Sequence, residues 1–112
     1  MNLQDFECLL KALQLMSPKQ RRSFFQLATA EQMRAFEEGC YNLVKNKKVN
    51  SAEIKKISKV HGSTIKELAR KGNSIKIKKT LLTQKGGFLG ILLSALASIV
   101  TSIITSQIEK NT

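Results

Sequence analysis

Apolar residues recur at helical spacing along the first part of the chain. Leu3, Phe6, Leu10 and Leu13 follow one another at three- and four-residue steps, with Leu9 and Met16 beside them. That is the periodicity of a helix with one apolar face. Ser17-Pro18-Lys19-Gln20 then stops this helix and starts another. Ser17 caps, Pro18 suits the first helical position because its missing N–H is not needed there, and Gln20 completes a capping box. The second helix carries Phe24, Phe25, Leu27 and Ala28. Thr29-Ala30-Glu31-Gln32 repeats the capping pattern and opens a third, with Met33, Phe36, Cys40, Leu43 and Val44 on one side. Glu31 near its start and Lys45 near its end agree with the helix dipole. Residues 1–48 are therefore predicted to form a small helical cluster. A unit of this size is too small for a comfortable core of its own, so partner contacts or self-association are expected.

The pattern continues in residues 49–85. Asn50 and Glu53 are spaced for a capping box, Ile54, Ile57 and Val60 give an apolar stripe, and Gly62 suits the left-handed position that closes a helix. Ser63 caps a further short helix bearing Ile65, Leu68 and Ala69, closed by Gly72. Ser74-Ile75-Lys76-Ile77-Lys78 alternates apolar with charged residues, which fits a short strand or an extended arm, although so short a run does not exclude helix.

Residues 86–112 differ in kind. From Gly86 to Ile108 there are 23 consecutive residues without a charge. As a helix that span is about 34 Å long, enough for a bilayer core of about 30 Å. Its eleven large aliphatic or aromatic residues favour insertion by about 3–7 kcal/mol before polar groups are counted. Gly86, Gly90, Ser94, Ser98, Ser102 and Ser106 recur at every fourth position, a small-residue stripe that permits close helix–helix approach in a membrane. The same stripe suits a helix lying at an interface with its hydroxyls outward. Gly90, Leu92, Ser94, Leu96, Ser98, Ile99, Ser102 and Ile103 are the positions assigned to membrane or helix packing. The tail is a membrane helix, a helix buried in a protein assembly, or an oligomer seam. The expected fold is all-α: a helical cluster, a basic helical connector and a long hydrophobic C-terminal helix.

Charge sharpens this division. The chain of 112 residues has a formal net charge of +11. Residues 45–85 hold twelve Lys and Arg70 against Glu53 and Glu67, whereas the pieces on either side are each neutral. So concentrated an excess calls for a polyanion or an acidic partner. Lys55, Lys56, Lys59, Lys66, Arg70, Lys71, Lys76, Lys78, Lys79 and Lys85 are the candidate contacts. Lys outnumbers Arg, which suits diffuse phosphate neutralisation more than bidentate base reading. Binding is expected to be sequence-independent and strongly salt-dependent. Tyr41 lies just outside the basic zone and no Phe or Trp lies within it, so a stacking platform for bases is poorly supported. The same lysines could instead address anionic lipid.

Catalysis finds little support. Cys8 and Cys40 read as reduced, buried helical residues with no activating neighbour in sequence, and His61 is isolated from other ligands and acids. No metal site, cofactor or enzymatic activity is expected. The N-terminus, MNLQDFECLL, has acids where a secretory signal carries bases and lacks a long apolar core, so no export by signal peptide is expected.

The run VNSAEIKKISKVHGSTIKELARKGNSIKIKKTLLTQKGGFLGILLSAL, residues 49–96, resembles a recurrent small basic open reading frame of adenovirus-like and polinton or adintovirus-type elements integrated in animal genomes. In that family a Lys-rich helical stretch leads into a QKGGFL segment and an apolar tail. Here Leu68, Arg70, Lys78, Lys79 and Leu82 fall at comparable places, and Gln84-Lys85-Gly86-Gly87-Phe88-Leu89 is the closest match. MSPKQRRSFFQLATAEQMRAF resembles the family's N-terminal part. The resemblance implies a virion- or core-associated protein that handles DNA, as small basic adenoviral core proteins do, or membranes, as the internal lytic protein does. It implies a location in the virion or host nucleus, with association with host membrane, and capsid protein as a further partner. Such viruses use a cysteine protease that cuts after Gly-Gly. Gly86-Gly87 is the corresponding place, although Gln84 stands where the familiar pattern has an aliphatic residue; the other reading of the pair is a flexible joint. The leading expectation is thus a non-enzymatic virus-like accessory protein contacting nucleic-acid backbone through its middle and membrane or capsid through its tail. The alternatives are a membrane-active protein without nucleic-acid binding, and a helical scaffold.

Overall fold

The computed structural model describes residues 1–45, 52–84 and 88–110. In chain order the helices are α1 (Leu3–Leu15), α2 (Pro18–Leu27), α3 (Ala30–Lys45), α4 (Ala52–Ala69), α5 (Ile75–Gln84) and α6 (Phe88–Lys110). The protein is all-α. Local signals set most of the helix starts. The Asn2 side chain accepts from the Asp5 N–H at 2.7 Å. Ser17 and Gln20 form a reciprocal capping box at 3.2 and 2.9 Å, and Thr29 and Gln32 form another at 3.1 and 2.9 Å. At its other end α1 is closed by Arg21, whose Nε and Nη2 donate to the carbonyls of Leu13 and Gln14 at 2.7 and 2.8 Å. A cation there satisfies two orphan acceptors at the negative end of the helix dipole.

The middle departs from expectation at two points. Gly62 takes no left-handed conformation and stays within α4. The break falls instead at His61 (φ −124°, ψ 20°), which makes α4 two helical pieces end to end. This kink sets the His61 ring 4.8 Å from that of Phe88 on α6. Asn73 closes α4 by donating to the backbone carbonyl and carboxylate of Glu67, both at 2.9 Å. Ser74–Lys78 is neither strand nor arm. Ser74 caps α5, accepting from the Ile77 N–H at 3.2 Å. In helical register Lys78 and Leu82 share the inward face, while Ile75 and Ile77 are left exposed. The Asn50–Glu53 capping box lies outside the described residues.

α6 is the core helix. Phe88, Leu92, Leu93, Ala95, Leu96 and Ile99 are each 1% exposed or less. α1, α3 and α4 supply most of the cover, and α5 adds a smaller contact. α1 lies antiparallel to α6: Gln14 Nε2 donates to Ser94 Oγ at 3.5 Å, and Thr101 Oγ1 donates to Glu7 Oε2 at 3.5 Å one end further on. Phe6, Phe36 and Phe25 join the first three helices edge to face, with centroids 5.2 and 4.9 Å apart. One core draws on the N-terminal, middle and C-terminal segments alike. The radius of gyration, 13.5 Å, matches the roughly 13 Å expected of a folded chain this long.

The chain itself thus covers part of the tail that the sequence assigned to a membrane, an assembly or an oligomer seam. The apolar stripes of α1, α3 and α4 and the apolar face of α6 cover one another. Residues Phe88–Ser106 are long and apolar enough to cross a membrane, with mean hydropathy 2.2, but the buried half of that span faces the chain's own helices. The small-residue stripe lies toward the outside. Gly90, Ser94 and Ser98 are half-buried and Ser102 and Ser106 exposed, and Ser94 and Ser98 donate back to the carbonyls of Gly90 and Ser94 at 3.2 and 3.1 Å. The close helix approach comes from α3 instead. A Cβ on Gly39 would stand 3.0 Å from Leu96 Cδ2 and 3.4 Å from Phe6 Cε2. Gly39→Val should consequently push α3 off α6 and lower stability by about 1–3 kcal/mol, measured by urea unfolding. A Gly62→Ala control, where a Cβ meets nothing within 4 Å, should not lose stability.

Candidate functional site

The cations assigned to polyanion contact do not share one environment. Lys55, Lys56 and Lys59 are exposed on α4, on the side away from the buried Ile57. Lys66, Arg70, Lys71 and Lys76 are also exposed. Lys79 is half-buried, and its Nζ donates to the Gln26 carbonyl at 3.3 Å, in the last turn of α2. Lys85, Gly86 and Gly87 lie outside the described residues, so the Gly-Gly junction has no structural account. Two exposed cations hold acids: Arg70 meets Glu67 at 3.4 Å and Lys71 meets Glu38 at 3.8 Å. Pairs this exposed are worth little and are readily exchanged for another anion.

Lys78 is a correction. It is 2% exposed and its Nζ lies 3.2 Å from Glu37 Oε2 on α3. It occupies the helical position whose neighbour one turn on is the buried Leu82, so helix α5 carries it inward and no polyanion can reach it. A buried pair of this kind is costly to break and only weakly stabilising as a whole.

Cys40 stands one turn from Glu37 on the same helix. Burial pushes its thiol up from 9.0 to about 12, with nearby Lys78 opposing and Glu37 assisting. A thiol held protonated in this way is not a nucleophile at neutral pH. Cys8, expected to be buried, is exposed on α1; position 8 falls just off the stripe of Phe6, Leu10 and Leu13. His61 is half-buried against Phe88. Among the described residues no group of three or more His, Cys, Asp or Glu is placed to hold a metal. A cleft of about 320 Å³ lies between the start of α1, α3 and the far half of α6. Leu3, Phe6, Leu96, Ile99 and Ile103 line it, with Arg34, Glu31 and Glu38 at its rim.

Folding also assembles a group that spacing in sequence hides. Tyr41 on α3 lies under the ammonium of Lys45, 4.8 Å from the ring centroid, with that of Lys71 at 5.9 Å. Lys71 is thirty positions away in the chain, and no local signal announces the contact. Comparison with family models, with curated proteins and with solved structures finds no match.

Three expectations follow from these groups. Glu37→Ala, by stranding Lys78, should cost about 3–5 kcal/mol of stability, and adding Lys78→Met should recover most of the loss, read from paired denaturant curves. In the native protein a thiol reagent should titrate one cysteine, Cys8, with Cys40 reacting only on unfolding. Because the folded thiol of Cys40 is raised above its value of 9.0, its contribution to stability is complete below pH 9 and declines as pH rises toward about 12.

Proposed function

We propose that this protein is a non-enzymatic helical scaffold whose α4–α5 surface contacts a polyanion, with nucleic-acid backbone the first choice. The observation that carries the reading is the exposure of Lys55, Lys56, Lys59, Lys66, Arg70, Lys71 and Lys76 on a body only 41 × 28 × 27 Å. Lys55 and Lys59, and Lys56 and Lys59, stand one helical turn apart, where like charges destabilise a helix slightly. A surface kept at that cost suits phosphate neutralisation. The resemblance of residues 49–96 to a small basic reading frame of adenovirus-like elements supports a virion- or core-associated setting, in the virion or host nucleus, with capsid protein a further partner.

A second reading has an observation of its own. Phe88–Ser106 has the length and hydropathy of a membrane span, so a membrane-active protein would release α6 from its core and use the lysines to hold anionic head groups. In the folded state α6 already has its apolar face covered, which favours the scaffold.

Full-length protein titrated with DNA should bind without sequence preference. Its affinity should fall with salt at a log–log slope of about −3 to −5 for three to five phosphates neutralised. Changing Lys55, Lys56 and Lys59 to Gln should flatten that slope by about 2–3. Release of dye from anionic vesicles without DNA affinity would transfer the proposal to the membrane reading.

A further inference from the structure

We propose that Tyr41 is a base-stacking platform, and that the polyanion this protein takes is nucleic acid with unpaired bases. The inference rests on the polyanion reading and narrows it.

The ring has the exposure such a platform needs. Tyr41 is 36% exposed, at the flank of the α3 stripe formed by Met33, Phe36, Cys40 and Leu43, which build the core. Ammoniums from two separate elements flank it: Lys45 in the last turn of α3, at 4.8 Å, and Lys71 in the turn after α4, at 5.9 Å. Both side chains are exposed and flexible, and the attraction of an ammonium for an exposed ring is weak. A nucleobase offers a wider flat partner and brings phosphates within reach of the cations it displaces. Exposed Arg70 stands beside Lys71. A ring that accepts any base, bordered by Lys, gives sequence-tolerant binding of single strands. Paired bases in a duplex are stacked on one another and closed to it.

Two acids oppose the ligand, and of these Glu67 holds Arg70 at 3.4 Å. Glu38, one turn before Tyr41, holds Lys71 at 3.8 Å and is itself well exposed. It competes with phosphate for that ammonium and repels the backbone, so removing its charge should tighten binding.

The protein carries its own reporter, since Tyr41 is its sole tyrosine and it has no tryptophan. Full-length protein would be titrated at low salt with a short oligothymidylate and with a duplex of equal length. Tyrosine emission should be quenched by the single strand and not by the duplex. By anisotropy of labelled strands, Tyr41→Ala should weaken single-strand binding about five- to twentyfold and leave duplex binding unchanged. Tyr41→Phe should hold affinity within about twofold, and Glu38→Gln should raise it about two- to fivefold. Circular dichroism would establish that the variants fold, and the quenching of the unaltered protein stands without them. Single-strand binding without quenching, or undiminished in a folded Tyr41→Ala variant, would overturn the inference and leave the polyanion reading intact. Binding to neither strand form, or to anionic vesicles alone, would overturn both.

Discussion

The apolar face of α6 has to be hidden, and its burial by α1, α3 and α4 holds the rest of the molecule in place. Neither partner is sufficient alone. The first three helices carry well-formed caps and an aromatic cluster but enclose too little apolar surface to be self-supporting. α6 has no charge between Phe88 and Ile108 and would aggregate if left uncovered. Docked together they close one core. The fit depends on small details: Gly39 lets α3 approach Leu96, and Arg21 closes the end of α1 while its guanidinium passes near Gly90.

Once that core is closed, the lysines of α4 and α5 have little choice of position. Inward places are taken by Ile57, Ile65, Leu68 and Leu82, so the long cationic side chains stand outward with their stems along the helices. Lys78 is the exception, and it needs Glu37 from another helix to neutralise it. The charge imbalance of the sequence thereby becomes a surface property, available to an external anion. Among the described residues the one buried charge is Lys78, matched by half-buried Glu37 at its edge.

What could be read from sequence was what is local. The boxes at Ser17–Gln20 and Thr29–Gln32, Pro18 at the start of α2, and the stripes of α1 and α3 all depend on residues within one or two turns. Ser74–Lys78 misled because five alternating residues fit strand and helix alike, while the decisive cap, Ser74 to the Ile77 N–H, also fits a turn. Gly62 offered a plausible helix stop, yet the backbone bends one residue earlier, where His61 finds Phe88. The covering of α6 was hidden for a different reason. A helix apolar nearly all round gives no clue to which side meets protein, and its cover comes from helices far off in the chain. Of the candidate site, the exposed lysines of α4 were legible by position alone. The burial of Lys78 and the meeting of Tyr41 with Lys71 are tertiary facts that no spacing rule contains.

The most exposed described positions of α6 are Thr101, Ser102, Thr105 and Ser106, hydroxyls where a soluble helix ordinarily carries lysine and glutamate. The hydroxyls of α6 are partly satisfied by its own carbonyls, as at Ser94 and Ser98. Between Phe88 and Ile108 the helix therefore holds no ionisable side chain, and moving it from water-facing to oil-facing surroundings would strip hydration from no formal charge and require no proton uptake by the helix itself. Its neighbours' grip, more than acidity, sets how firmly it stays where it is.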